Sequence, residues 1–378
     1  MKKSLFWSAA LVVCFVAYCL MSGQHASRSF VSEAKAMPPN DACIAPTQMA
    51  ATPEETAWRL FVSATCPANS DKYPYVVWEN WIEQGQLYTS SGNVMSLAMG
   101  QRPRFHESPL SVEIKKRFKV KPKARAQLLP QVANQDCNSQ TWSGRTICEE
   151  ARLNPEAAQF VTNNNLTTLK GQEQFIAAGK TFNFSRPSIE VKADWIQLPS
   201  CSNPPQGVHV ETVGNTCYAL GGIHLISKLI DEWVWATFEP QNTATNPQRC
   251  VVLGCKDSWG SNPATTSGMT TQLTPALSGL MSTAGLADEW KNYRLNGVQV
   301  SFVDGHGQPT RLGNSIIEGD NAGNPTIMKS SSCITCHDLS TINAQGKHLP
   351  IDFIIGPPKA VPAGYFRRDF VWSFLLAR

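Results

Sequence analysis

The clearest secondary-structure signal in the chain is Ile189-Glu190-Val191-Lys192-Ala193-Asp194-Trp195-Ile196, in which apolar and charged side chains alternate. Side chains of an extended strand point alternately to its two faces, so this period of two predicts a half-buried β-strand. Residues 218–226 and 232–238 have the same character and predict two more strands. The pair Asp231-Glu232 lies between apolar runs and predicts the turn that joins them.

Helical patterns lie on the N-terminal side of these strands. Thr52-Pro53-Glu54-Glu55 predicts the start of a helix, with threonine as N-cap, proline at the first helical position and glutamate in the first turn. Residues 147–180 also have a helical pattern. Two weaker strands are predicted at residues 298–303 and 315–318. Residues 240–290 are rich in Asn, Thr, Pro, Ser and Gly and predict a long loop excursion. The predicted fold class is therefore mixed α+β in a single domain, with a β-rich middle, flanking helices and long loops.

Composition favours a globular protein without a nucleic-acid role. The chain has 378 residues, of which 42% are hydrophobic and 16% are charged, and its formal net charge is +4. Four basic residues and one acidic residue lie in residues 1–36, which leaves a charge of about +1 for the remainder. A nearly neutral body gives no electrostatic reason to expect nucleic-acid binding.

The N-terminus predicts export. Lys2 and Lys3 form a positive start, residues 5–21 are almost wholly apolar, and Ala34-Lys35-Ala36 has the small-residue pattern of a cleavage site. Residues 1–36 are therefore predicted to be a signal peptide. Retention of the segment as an N-terminal membrane anchor is the alternative, because the apolar run approaches the length of a membrane span. In both cases residues 37–378 are expected outside the cytoplasm, in the periplasm.

Cysteine spacing predicts a disulfide framework. The chain has 12 cysteines, and eight of the ten that follow residue 36 form four local couples outside the motif described next. In an exported protein such couples predict disulfides between sequence neighbours. The predicted pairs are Cys43–Cys66, Cys137–Cys148, Cys201–Cys217 and Cys250–Cys255. Zinc binding is the alternative, but no couple has the Cys-x-x-Cys spacing that structural zinc sites favour.

The remaining two cysteines lie in Cys333-Ile334-Thr335-Cys336-His337, which is the CxxCH signature of covalent haem c attachment. Two thiols three positions apart on one turn can bond to the two vinyl groups of a porphyrin. The following imidazole then binds the iron from one face. The motif occurs once, so one haem c is predicted, bound by Cys333, Cys336 and His337. The alternative is a redox or zinc-binding CxxC pair beside an incidental histidine.

The position of the motif excludes a familiar cytochrome arrangement. Small class I cytochromes c carry the motif near their start and take a methionine ligand from farther along the chain. Here only residues 338–378 follow His337, and none of them is methionine. The fold is therefore not expected to be the small class I cytochrome c fold, and a second axial ligand must come from upstream or from His348.

Six segments carry a resemblance to a known group of proteins. They are SIEVKADW (188–195), GGIHLISK (221–228), EWVWATFE (232–239), NSIIEG (314–319), SSCITCH (331–337) and DFVWSFLLA (369–377). Together they resemble large exported mono-haem "cytochrome c family" proteins of proteobacteria, over about residues 50–378. The resemblance implies a periplasmic haem c protein that transfers electrons, with no established substrate.

The sixth iron ligand is left open by the sequence. His224 is the first candidate, because it lies within an apolar strand where a buried imidazole needs a partner. The alternatives are Met269 or Met281 on the long loop, His348 after a polar turn, and an unoccupied iron position. A methionine ligand raises the reduction potential and a histidine ligand lowers it, whereas an open position permits ligand chemistry.

Further residues are candidates for the surroundings of the haem. The aromatic candidates for walls of the pocket are Trp195, Trp233, Trp235 and Trp372. The cations considered for the haem propionates are Lys228, Arg294 and Arg311. Glu318 is an acid/base candidate if the site is catalytic and a surface carboxylate otherwise.

Two functions fit these residues. The first is an electron carrier that docks with a redox partner protein, and it is favoured because no acid/base group stands out near the motif in the sequence. The second is a haem enzyme or a gas- or peroxide-binding protein with an open iron site. Contact with a membrane is expected only if residues 1–36 are retained.

Overall fold

The computed structural model describes residues 40–68, 75–88, 137–138, 141–213, 215–268, 270–321, 327–350 and 355–377. Pro39–Arg378 forms one compact unit. The signal or anchor predicted at residues 1–36 lies outside the described residues. Within the described ranges, no helix is both long and apolar enough to cross a membrane.

A single antiparallel sheet organises the described chain. Its eight strands are β1 (Ile82–Glu83), β2 (Cys137–Asn138), β3 (Ile147–Leu153), β4 (Ile189–Gln197), β5 (Val210–Val213), β6 (Thr216–Ser227), β7 (Val234–Pro240) and β12 (Tyr293–Gln299). The strand order is β1-β3-β4-β6-β7-β12, with β2 paired to β3 and β5 paired to β6. The long central strands β4, β6 and β7 therefore lie side by side.

Helices and short strand pairs surround this sheet. The α-helices are α1 (Pro53–Thr65), α2 (Gln84–Leu87), α3 (Pro155–Asn163), α4 (Leu169–Ala177), α5 (Pro275–Thr283), α6 (Asp288–Lys291) and α7 (Cys333–Asp338). The short strands are β8 (Cys255–Lys256), β9 (Ser261–Asn262), β10 (Thr265–Thr266), β11 (Gln272–Leu273), β13 (Thr341–Asn343) and β14 (Tyr365–Arg367). A π-helix spans Ser315–Asn321. The mixed α+β fold class is confirmed.

Helix α1 covers one face of the sheet. It begins as predicted, with Pro53 in its first turn and the Thr52 hydroxyl accepting from the Glu55 N–H at 3.1 Å. Its buried residues pack in one apolar core with Val191, Ala193 and Trp195 of β4. The alternation of β4 therefore sends its apolar side chains toward α1 and its charged side chains toward the opposite face.

The opposite face of the sheet is also covered, so the expectation of a half-buried strand is wrong. Seven of the nine residues of β4 are buried, and Glu190 and Asp194 are among them. A second apolar cluster on this side contains Trp235 of β7 together with Cys333 and Ile334 of α7. The face that carries the charged residues of β4 is therefore the face on which the CxxCH segment lies.

Two other expectations are corrected by the structure. Residues 147–153 form strand β3 rather than a helix, because each of them pairs with β4 and is buried; helices α3 and α4 then follow. Residues 315–318 are π-helical rather than extended, because the Asn314 side chain accepts from the N–H groups of Ile316 and Ile317. The weak strand predicted at 298–303 lies earlier, at Tyr293–Gln299.

The four predicted disulfides are confirmed. Cys43–Cys66, Cys137–Cys148, Cys201–Cys217 and Cys250–Cys255 are each bonded. The last of these ties the loop-rich stretch 240–290, as expected, although that stretch also contains α5 and α6. Cys333 and Cys336 are the described cysteines that keep free thiols.

A buried histidine on the α1 side of the sheet gives a test of the packing. His209 Nε2 lies 3.0 Å from Glu79 Oε1 and 3.3 Å from Glu211 Oε1, and its ring packs 4.5 Å from that of Trp290. Burial acts to lower the pKa of His209, but the two carboxylates outweigh it and raise the pKa to about 9.

The free energy of unfolding is therefore expected to fall at alkaline pH, as His209 loses its proton. The folded-state pKa lies above the unfolded value of about 6.5, so the contribution is complete below pH 6.5 and is lost as pH rises through about 9. Urea unfolding at several pH values should show this decline in the wild type and a smaller one in His209→Gln. The matched control is His306→Gln at an exposed turn; an equal decline in His209→Gln and wild type would contradict the assignment.

Candidate haem attachment site

The CxxCH segment forms the short helix α7, and its first turn is fixed by side chains. The Gln299 amide of β12 donates to the Ser332 hydroxyl at 3.0 Å, which in turn donates to the Thr335 hydroxyl at 3.0 Å. Residues three positions apart lie on one side of a helix, so Cys333 and Cys336 present their thiols to the same region. Cys333 is buried and Cys336 is half-buried.

His337 is held in the tautomer that a metal ligand requires. Its Nδ1–H donates to the Phe370 carbonyl at 2.7 Å, which leaves Nε2 to offer its lone pair. The ring packs against Trp235, with 4.5 Å between the ring centroids. Burial is the main cause that lowers the pKa of His337 to about 3, although the hydrogen bond to Phe370 opposes it. The imidazole is therefore neutral across the physiological range.

The carbonyl that orients His337 belongs to a strained and firmly held segment. Asp369 and Phe370 both have positive φ, 51° and 68°, a conformation that costs about 1 kcal/mol or more for a residue with a side chain. The Asp369 carboxylate accepts from Lys228 Nζ at 2.6 Å and from the Phe184 N–H at 2.7 Å. A buried ion pair therefore fixes the turn that presents Phe370 to His337.

His224 lies on the same face of the sheet and has a carboxylate partner. It stands opposite Lys192 on β4 and Thr237 on β7, so the three side chains share one face. Its Nε2–H donates to Glu318 Oε1 at 2.9 Å, and the side chains are 11% and 21% exposed. Glu318 is therefore not a surface carboxylate, and His224 is not a lone core histidine.

The π-helix brings Glu318 to His224 because Asn314 anchors it closely on the sheet. The Asn314 amide donates to the Thr237 hydroxyl at 2.9 Å, and the Asn314 N–H donates to Glu318 Oε2 at 2.7 Å. A Cβ on Gly222 would lie 2.6 Å from Asn314 Oδ1, so this approach requires glycine in β6. π-Helical turns are frequent at functional sites.

The charges of this group extend to the haem motif. Burial alone would raise the pKa of Glu318, but His224, Lys192 and the Asn314 N–H lower it, so the carboxylate is ionised. The pKa of Cys336 is raised to about 12, first by burial and then by the negative charge of Glu318. The charges of Glu318, Lys192 and His224 also act on His337. The His224–Glu318 pair and the motif therefore face one buried region.

The other predicted residues have mixed outcomes. Trp235 packs against the His337 ring, and the Trp372 indole donates to the Cys336 carbonyl at 3.2 Å. Trp195 and Met281 instead lie in the α1 core on the opposite face of the sheet, so they do not face the motif. Met269 lies outside the described residues. His348 is half-buried, and its Nδ1–H donates to the Leu349 carbonyl at 2.8 Å.

The three cations predicted as candidates for the propionates lie in different surroundings. Lys228 is paired with Asp369. Arg294 donates to the Lys291 carbonyl at 2.7 Å and lies near Thr271 of the long loop. Arg311 is exposed.

The described residues fit a covalently bound haem c. Two free thiols lie on one turn, and a neutral imidazole is fixed through Nδ1. These are the groups that would bond the vinyl carbons and ligate the iron.

Most of the contacts described above are supplied by residues 188–195, 221–228, 232–239, 314–319, 331–337 and 369–377. They contribute Lys192, His224, Trp235, Glu318, the CxxCH helix and the Asp369-Phe370 turn. Comparison with protein-family models, with curated proteins and with solved structures found no match. The functional assignment therefore rests on the residues and contacts of this chain.

Proposed function

We propose that this chain is an exported c-type haem protein that transfers electrons to a redox partner protein in the periplasm. One haem is bonded to Cys333 and Cys336, and His337 is the proximal iron ligand. The observation that carries the proposal is the Nδ1–H hydrogen bond of His337 to Phe370, beside the two cysteines that keep free thiols. When bound, the haem supplies one-electron chemistry.

The surrounding residues have defined tasks in this proposal. The Phe370 carbonyl keeps the proton on Nδ1 of His337, and Trp235 excludes water from one side of the ring. Glu318 and Lys192 place opposite charges near the motif and would adjust how readily a haem bound there accepts an electron. Electron transfer requires no further proton chemistry from these groups.

A haem enzyme that acts on peroxide or a similar small ligand is the second candidate. The observation that favours it is the His224–Glu318 pair, because a histidine whose Nε2–H is held by an ionised carboxylate can accept and return a proton at Nδ1. That hydrogen bond occupies Nε2 of His224. Iron ligation by His224, the sequence-based candidate for the distal ligand, would therefore use Nδ1 or require the pair to open.

Absorption spectra of the purified haem-loaded protein in both oxidation states test the proposal. Electron transfer predicts six-coordinate low-spin iron whose spectrum does not change with CO or cyanide. High-spin ferric iron that binds cyanide, CO or peroxide rapidly would support the second candidate instead.

Replacing Glu318 with glutamine is expected to raise the reduction potential. The substitution removes a negative charge near the motif, which favours the reduced iron by roughly tenfold at fixed ambient potential if the effective dielectric constant is about 20. Redox titration measures the shift, and Glu232→Gln at an exposed turn is the control. An unchanged potential would show that Glu318 does not face the haem, and loss of peroxide reactivity would support the enzyme.

A further inference from the structure

Three side chains with metal-ligating atoms meet on the α1 side of the sheet. They are Glu79, His209 and Glu211, and their ligand atoms all lie within 4.8 Å of one another. Glu79 belongs to a short 3-10 helix (Val77–Asn80), whereas His209 directly precedes β5 and Glu211 lies in it. Alternate residues of an extended strand point to the same side, which brings the second carboxylate to the imidazole. The group joins two parts of the chain that are 130 positions apart in the sequence.

The spacing of these atoms suits a small divalent cation. His209 Nε2 lies 3.0 Å from Glu79 Oε1 and 3.3 Å from Glu211 Oε1. Zinc binds imidazole nitrogen and carboxylate oxygen at about 2.0–2.2 Å, so two ligand atoms that subtend a right angle or a tetrahedral angle at the ion lie roughly 2.8–3.6 Å apart. Both measured distances fall in this range. A cation can therefore take the place of the proton between the imidazole and the carboxylates with small movements of the side chains.

Two of the ligands are already held in position by the surrounding fold. Glu79 accepts from the Val76 N–H through Oε2 at 3.0 Å, and its other oxygen, Oε1, faces His209. The His209 ring packs against Trp290, with 4.5 Å between the ring centroids, and its carbonyl accepts from the Leu220 N–H at 2.8 Å. Ligands that are fixed by packing and hydrogen bonds lose little freedom when a metal binds.

Burial and charge also favour a divalent cation. The side chains of Glu79 and His209 are 4% and 7% exposed, and that of Glu211 is 13% exposed, so the site reaches solvent through Glu211. With a proton on His209 the three groups together carry one negative charge, whereas a divalent cation on the neutral imidazole leaves them balanced. Buried charge is costly unless it is paired. The histidine ligand selects a transition cation, because Ca²⁺ and Mg²⁺ prefer oxygen ligands.

We propose that Glu79, His209 and Glu211 bind one divalent transition cation of the zinc type, which ties β5 to the 3-10 helix. Three protein ligands leave a further coordination position for water. The site lies apart from the CxxCH motif and does not depend on the proposed function. The fall in the free energy of unfolding expected from His209 at alkaline pH is accordingly measured in the presence of EDTA, where Nε2 carries the proton.

Calorimetric titration with ZnCl₂ tests the proposal on two full-length proteins that are first treated with EDTA. One is the haem-loaded chain, and the other carries Cys333→Ser and Cys336→Ser, which removes thiols that also bind zinc. Each is expected to bind one Zn²⁺ and to bind Ca²⁺ about a hundredfold more weakly or less. Urea unfolding should require a higher urea concentration with Zn²⁺ than with EDTA, because the ion binds the folded chain.

Glu211→Gln removes one ligand with little change of shape. It is expected to weaken Zn²⁺ binding about a hundredfold, since losing a residue that only orients a ligand already costs about 10–100-fold. Glu232→Gln at an exposed turn is the matched control and should bind as the wild type does. Equal affinity in Glu211→Gln and wild type would overturn the proposal. If that variant does not fold, the titrations above still decide, because a folded chain that binds no Zn²⁺, or binds Ca²⁺ equally well, overturns it too.

Discussion

Replacing Cys333 and Cys336 together with serine is expected to give protein that carries no covalent haem. A serine hydroxyl cannot form the thioether bond, and the other cysteines of the described residues are joined in disulfides. After production in a host that attaches c-type haem, acid-acetone extraction should remove all haem from the variant and none from the wild type. The expected effect is complete loss.

The matched control for this variant is Cys201→Ser with Cys217→Ser. That pair is joined in a disulfide between the segment after β4 and the start of β6. The control loses a disulfide worth about 2–4 kcal/mol yet should keep its haem bound after extraction. Covalent haem that survives in the Cys333/Cys336 variant would refute the attachment site.

Replacing Asp369 with alanine is expected to be among the most destabilising single changes in the chain. Lys228 and Asp369 are 5% and 6% exposed, and the carboxylate also accepts from the Phe184 N–H and the Trp233 indole. Removing one partner of a buried ion pair leaves an uncompensated charge and costs about 3–5 kcal/mol. Urea unfolding of the haem-loaded protein should show a loss of this size.

The same substitution is expected to disturb the iron, because Asp369 fixes the turn that presents the Phe370 carbonyl to His337. The control is Asp231→Ala, which breaks an exposed pair with Arg186 and should cost less than about 1 kcal/mol. A loss in Asp369→Ala no larger than in Asp231→Ala would show that the turn is held by other contacts.

The sequence predicts an element correctly where the pattern involves only residues close together in the chain. A strand at residues 189–196 and a helix that starts at Thr52 and Pro53 are both confirmed. Each prediction depends only on residues that are neighbours in the chain. The disulfides were predictable for the same reason, because each joins cysteines that are close in sequence. Local patterns do not show what covers each face of a strand.

Strand β3 illustrates what the sequence concealed. Glu149, Glu150 and Arg152 look like an exposed helical surface, yet all three are buried. Their partners include Lys192 and Trp195, which lie more than 40 residues away in the chain. Polar residues at a buried position are stable only through such pairing, which depends on tertiary contacts that periodicity does not contain.

The residues of the candidate site also divide into those that local spacing predicts and those that depend on tertiary contacts. The CxxCH motif identified Cys333, Cys336 and His337, because its chemistry depends on spacing within one turn. The partner of His224 was not identified, since the π-helix that carries Glu318 depends on the close contact of Asn314 with Gly222.

The mass of the peptide that contains Cys333 to His337 tests the central claim most directly. Protein produced with c-type haem attachment is extracted with acidic acetone, digested and mapped under reducing conditions. The account predicts one haem bonded through both Cys333 and Cys336, with no free thiol on that peptide. A peptide of unmodified mass, with two reducible thiols and no haem absorbance, would contradict it.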